Sequence, residues 1–153
     1  MSQSGPPTTG DDAAGVAAVQ SAYAVAIDTH DWPRLRTCFA DDATIGFGVP
    51  LRVGNVEEFM AWAPEFHQPL GPTLHQVSSH QVRLRGEQAS ASAYLHAVLV
   101  DADGNGATSI FGRYDDELVR GDRGWLIRQR RFTPVWRTRS APLAPAPAAG
   151  AQR

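Results

Sequence analysis

A carboxylate and an imidazole can together move a proton off carbon without any metal or organic group, and this chain offers one such pair worth weighing. Asp28 falls near the end of an apolar-striped segment, directly after Ile27. A carboxylate is disfavoured at a helix C-terminus, where the backbone dipole is negative. Asp28 is therefore either a surface residue capping the next turn or a group drawn inward. His75 opens the alternating run TLHQVSSH, and pattern alone leaves its facing undecided. Neutral imidazole, with a reference pKa near ~6.5, suits a base working at neutral pH. The other chemistry-bearing residues read as structural. His30, His67, His75, His80 and His96 include no pair four apart, the spacing of a helical zinc site. His75 and His80, five apart on a strand, are expected on opposite faces. No metal site is expected. Asp101, Asp103 and Asn105 look like a calcium loop, but Gly112 stands where the bidentate Glu is needed. A hairpin turn is the expected reading. Cys38, the single cysteine, sits on an apolar stripe and reads as a buried thiol. Trp32, Trp125 and Trp136 read as core packing.

The elements that must position Asp28 and His75 follow from periodicity. Val16, Val19, Tyr23, Ala26, Ile27 and His30 recur at helical steps after Asp11 and Asp12, which offer N-caps. Asp31 caps a second helix with Pro33 in its first turn and Leu35, Cys38 and Phe39 on its buried face. Residues 43–47 and 51–53 read as short strands. Asn55 caps a third helix over 56–63, stopped by Pro64. The period then changes to two. Segments 74–85, 89–100, 107–120 and 125–135 alternate and are split by Gly- and Asp-rich gaps of hairpin size. Three helices followed by a four-strand meander define an α+β fold, with helices on one face of a curved antiparallel sheet and a pocket at its mouth. The folded domain spans 12–137. The Ser/Gly/Pro/Thr segment 1–11 and the Pro/Ala-rich segment 138–153 are expected to be disordered tails.

With 153 residues, the chain fits one domain. A net charge of −2 leaves no basic excess for nucleic acid or an anionic membrane. Arg128, Arg130 and Arg131 are split between two strand faces and are expected to pair with Asp115, Asp116 and Glu117. No apolar run is long enough to span a bilayer, and MSQSGPPTTGDD lacks the features of a secretory signal, so a cytoplasmic protein is expected. All fourteen basic residues are arginine, which removes Schiff-base lysine chemistry and Walker-type phosphate loops.

The runs AYAVAIDTHDWPRLRTCFADDATI, TLHQVSSHQVRLRGEQASASAYL and GRYDDELVRGDRGWLIRQRRF resemble the NTF2-like superfamily, and within it the SnoaL-like branch. That branch holds polyketide cyclases, scytalone dehydratase, bile-acid dehydratases and a dehydrochlorinase. The resemblance covers 12–137 and implies a cone-shaped fold, three helices on a strongly bent sheet. It implies an Asp–His dyad at Asp28 and His75, with Tyr23, Tyr114 and Arg130 at pocket positions. The dehydratases carry a further acidic or histidine group where this chain has Ala97, Val98 and Leu99, and Ser79 replaces a frequent Asn. With the dyad alone, Tyr23 or Tyr94 is the candidate acid. The implied activity is a cofactor-independent lyase or isomerase on a small, largely apolar molecule. A polyketide-type cyclase and a non-catalytic binding or assembly module are the alternatives. No cofactor is implied. Pairing through the open sheet face, with Ala91, Ala93, Leu95 and Ala97 on one side, implies a homodimer or homotrimer.

Overall fold

The structure, a computed structural model, describes residues 9–48 and 50–142. Its elements are α1 (Thr9–Asp28), α2 (Trp32–Thr37), β1 (Phe39–Phe47), β2 (Arg52–Asn55), α3 (Val56–His67), β3 (Leu70–Arg85), β4 (Gln88–Asp101), β5 (Ala107–Gly121) and β6 (Gly124–Ser140). This is an α+β fold with three helices and one curved, unclosed sheet in the order β2-β1-β6-β5-β4-β3. Strands β3 to β6 form the antiparallel meander, β1 runs parallel to β6, and β2 pairs antiparallel with β1. The ordered elements reach beyond both expected domain limits: α1 begins at Thr9, and β6 extends to Ser140, opposite Ala107. The remainder of the two expected tails, 1–8 and 143–153, lies outside the described residues.

Local signals account for most boundaries. Asp11 and Asp12 lie in the first turn of α1 and complement its dipole; they are not its caps. The Asp31 side chain accepts from the Arg34 N–H at 3.1 Å and starts α2, with Pro33 in the first turn. Asn55 and Glu58 form a reciprocal capping box at the start of α3. Two expectations are corrected. Phe39 does not belong to α2, which ends at Thr37; it opens β1 and pairs with Ile127. Pro64 does not stop α3, which continues to His67. A proline removes one helical donor, and here the last turn is held by other contacts. Phe66 stacks on Trp62 at 4.6 Å, and the Gln68 N–H donates to Pro64 O at 2.9 Å.

The helix-facing side of β4 is lined by Ala89, Ala91, Ala93, Leu95, Ala97 and Leu99, all buried. This corrects the expectation that the alanine row marks the open face. Small side chains let helices lie close to the sheet, and Val16, Tyr23, Ala26 and Ile27 of α1 fill that layer. The open face instead carries Leu74, Tyr94, Phe111, Val135 and Trp136. Trp136 is 64% exposed, which corrects its reading as core; Trp125 is buried.

Register shifts bend the sheet at several points. In β3 the register shifts between Ser78 and Gln81, and Ser79 adopts φ +56°. The extra residue reverses the alternation, so His80 returns to the helix side with His75, against the expected opposite facing. Another shift falls in β6, where Val135 is the extra residue opposite the step from Phe111 to Gly112. A Cβ on Gly112 would meet Thr133 O at 2.6 Å and Phe132 Cζ at 2.7 Å. Gly112→Ala is therefore expected to destabilise the fold by about 1–3 kcal/mol, read from urea denaturation, because the obstructing atoms include backbone.

Candidate active site

Asp28, the last residue of α1, reaches across to the start of β3. Its Oδ1 accepts from Thr73 Oγ1 at 2.8 Å and lies 2.7 Å from His75 Nδ1, while Oδ2 accepts from the His75 backbone N–H at 2.7 Å. The inward reading of Asp28 is the one the fold adopts. Burial pushes its carboxyl pKa up, but the side-chain and backbone hydrogen bonds from His75, together with Thr73, outweigh this and hold it below the usual value. An ionised carboxylate can only accept, so His75 Nδ1 carries the proton and Nε2 keeps its lone pair.

His75 lines a cavity of about 90 Å³ between the sheet and the helices. One buried water needs only roughly 10–15 Å³ by the same kind of measure. The wall is largely aromatic: Tyr23, Phe59, Trp62 and Tyr114 stand with His75 and His67. Burial pushes the phenol pKa values of Tyr23 and Tyr114 up, so both stay protonated.

The implied pocket residues separate into three groups. Tyr23 and Tyr114 reach the cavity wall beside His75. Tyr94 does not: it is 61% exposed on the open face, opposite Ser78 and Arg113. Strand parity fixes this, because Ala93 and Leu95 occupy the inner face on either side. Arg130 is buried, but its guanidinium is bound to Asp116 through Nε–Oδ1 at 2.8 Å and Nη2–Oδ2 at 2.6 Å. It stacks behind the cavity tyrosines, 4.3 Å from the Tyr23 centroid and 4.0 Å from that of Tyr114. Burial alone lowers the guanidinium pKa; the Asp116 carboxylate more than offsets that and keeps it charged. Arg130 thus backs the wall and does not line the cavity.

Two features were not legible as site residues. Gln20 donates to Asp116 Oδ2 at 2.8 Å, and its Oε1 takes the His80 Nδ1–H at 2.7 Å. The one available sign was a glutamine in the apolar stripe that runs from Val16 to Ile27. His67, 1% exposed, sits in the last turn of α3, which the sequence reading ended at Pro64. Its Nδ1 lies 2.7 Å from Ala63 O, and its ring centroid is 6.2 Å from that of His75. Burial lowers the His67 pKa, with the neighbouring His75 and His30 adding to the effect. Cys38 is buried, with its thiol pushed up to about 11 by burial, and takes no part in the cavity. Asp101–Gly106 forms the β4–β5 turn, with Gly104 at φ +71° and the Asp103 side chain accepting from the Asn105 N–H. Among the described residues no group of three or more His, Cys, Asp or Glu side chains could hold a metal ion. No helix among them is long and apolar enough to cross a membrane.

The chain thus folds as a curved sheet covered on one face by helices, with an aromatic-rich cavity between the two layers. The match of residues 9–131 to the SnoaL-like domain family identifies the chain as a member of that family. Solved structures share the fold. The Kfla4162 protein of Kribbella flavida is 23% identical, with a TM-score of 0.77 over 86% of this chain and 95% of that one. A Novosphingobium aromaticivorans protein provisionally assigned as a scytalone dehydratase is 16% identical, with a TM-score of 0.75 over 91% and 94%. The type 3 hexachlorocyclohexane dehydrochlorinase of Novosphingobium barchaimii is 15% identical, with a TM-score of 0.73 over 88% and 93%. No curated protein sequence matches.

The site yields two stability predictions. Asp116→Ala strands a fully buried guanidinium and is expected to cost about 3–5 kcal/mol, whereas Asp116→Leu with Arg130→Met removes both charges and recovers most of it in chemical denaturation. Asp28 has a folded pKa below its unfolded one, so its contribution is complete above pH ~4 and is lost as pH falls through the lower folded value. Urea midpoints measured from pH 7 to pH 3 should show that acid limb in the wild type and a weaker one in Asp28→Asn.

Proposed function

We propose that this protein is a cofactor-independent lyase or isomerase in which His75, oriented by Asp28, is the general base. The observation that carries the reading is the 2.7 Å contact between Asp28 Oδ1 and His75 Nδ1 at the wall of an apolar chamber. The substrate is a small, largely apolar molecule bearing a carbon acid. His75 Nε2 takes a proton as the C–H bond breaks, and the electron pair stays on the substrate, delocalised into an adjacent unsaturated group. Asp28 stabilises the imidazolium that results. Expulsion of a leaving group from the neighbouring carbon completes an elimination, and return of the proton at another carbon completes an isomerisation. In this reading Tyr23, kept protonated by burial, is the candidate donor to oxygen that gains charge in either course, with Tyr114 beside it on the wall. Few polar groups on the wall compete for the carbanion, which favours chemistry that excludes water.

Membership in the SnoaL-like family and the fold shared with a dehydrochlorinase support this class of reaction. The reading includes a homodimer or homotrimer meeting at the open sheet face, where Leu74, Tyr94, Phe111, Val135 and Trp136 form an exposed apolar cluster.

The test is deuterium uptake from D2O into a panel of small aryl ketones and β-substituted cyclic ketones, followed by mass spectrometry together with release of the leaving group. Wild type is expected to accelerate exchange or elimination for at least one compound. His75→Ala and Asp28→Asn should each reduce that rate by about 10²-fold or more while retaining the far-UV CD spectrum. Undiminished turnover in His75→Ala would overturn the assignment of the base.

A further inference from the structure

The buried imidazole of His67 is not used by the reaction proposed above. Its side chain is among the cavity-lining groups, and its buried Nε2 has no hydrogen-bond partner among the described residues. The other nitrogen settles the tautomer. A backbone carbonyl can only accept, so Nδ1, 2.7 Å from Ala63 O, carries the hydrogen. Nε2 therefore presents a lone pair and, in the neutral ring, has no proton to give. The ring is fixed in place: it packs against Phe66 at 5.2 Å, Trp32 at 5.9 Å, His30 at 6.0 Å and His75 at 6.2 Å. A buried acceptor left without a donor is costly, and such groups in folded proteins are normally satisfied. Here the described residues supply no donor, while the cavity lies alongside.

We propose that His67 Nε2 is a specificity-determining acceptor for a hydroxyl group on the substrate. This rests on the reading of the cavity as a substrate site. It narrows the substrate class to compact aromatic or alicyclic molecules that carry a hydroxyl within one ring's breadth of the carbon facing His75. The direction of its pKa agrees with the role: burial, with His75 and His30 beside it, lowers it against the Ala63 hydrogen bond and the nearby Asp28, which favours the neutral ring. An imidazolium at this position would lose the acceptor. The two histidines thus divide the work, His75 taking a proton from carbon and His67 holding a hydroxyl without taking its proton.

Phenol and toluene, nearly isosteric and differing in a hydroxyl against a methyl group, are the probes. The full chain, labelled with ¹⁵N-histidine, is titrated with each and followed by long-range ¹H–¹⁵N correlation spectra. The expected result is an Nδ1–H tautomer for His67 and an Nε2 resonance that moves with phenol and not with toluene. The ratio of phenol to toluene affinity should fall about fivefold in His67→Phe, which keeps an aromatic ring without nitrogen. His67→Gln, which returns a polar acceptor near the same place, should recover part of that ratio. An Nε2–H tautomer, an Nε2 resonance unmoved at saturation, an unchanged ratio in His67→Phe, or no saturable phenol binding would each overturn the proposal. The outcome is separable from that for the base. Normal turnover in His75→Ala removes the base assignment and leaves the phenol result standing, while a phenol-insensitive His67 leaves the base assignment untouched.

Discussion

The carboxylate of Asp28 is the junction on which the chamber depends. It ends α1, where the helix dipole opposes a negative charge, and it is drawn partly out of water. Three donors compensate: the Thr73 hydroxyl, the His75 amide and the His75 ring. All three come from one end of β3. The same contacts that make the charge tolerable therefore tie the first helix to the first long strand and fix the His75 imidazole in one tautomer. A neutral amide could hold the ring in place, but because it can donate as well as accept it would not impose that tautomer.

Behind the cavity a second polar assembly performs a different task. Asp116 binds Arg130 twice and also takes the Gln20 amide, so the buried carboxylate accepts three hydrogen bonds, while Arg130 Nη1 has no partner among the described residues. The Arg130 guanidinium then offers its face to Tyr23 and Tyr114, holding both rings against the chamber. Buried ion pairs often add little net stability. Here the pair's contribution is placement: it backs two phenols in a largely apolar wall. The family resemblance implies a pocket position for Arg130, and the fold sets its guanidinium behind Tyr23 and Tyr114.

How much of this could be read from the chain varies by residue. The helices and the meander were legible because their apolar residues repeat every three to four positions or every two, and because Asp31 and Asn55 are strong caps. The candidate partnership of Asp28 and His75 came from family resemblance, since pattern left both residues open to ordinary structural readings. Pro64 was misread because a proline's cost to a helix is local, whereas the stacking of Trp62 on Phe66 that sustains the next turn depends on the packed layer. That error also hid His67. The facing of His80 was misread because one bulge at Ser79 reverses parity for everything after it, and Ser79 is not a residue that announces a positive φ.

Local chemistry in the sequence determined what each segment would become: caps start helices, alternation makes strands, and Gly- and Asp-rich gaps turn the chain back. It also determined which reactive groups were available at all, with no lysine and one cysteine among them. Only the tertiary structure decided which of those groups meet. Asp28 and His75 are 47 positions apart, and Gln20 and Asp116 are 96 apart. Contacts at such separations are set by sheet register and by how closely a helix can approach a row of alanines, and no short-range pattern encodes either. The open face shows the same division. The alanine row was visible in β4, but whether it faced water or the helices was settled by packing, because buried area favours whichever side the helices can cover most closely.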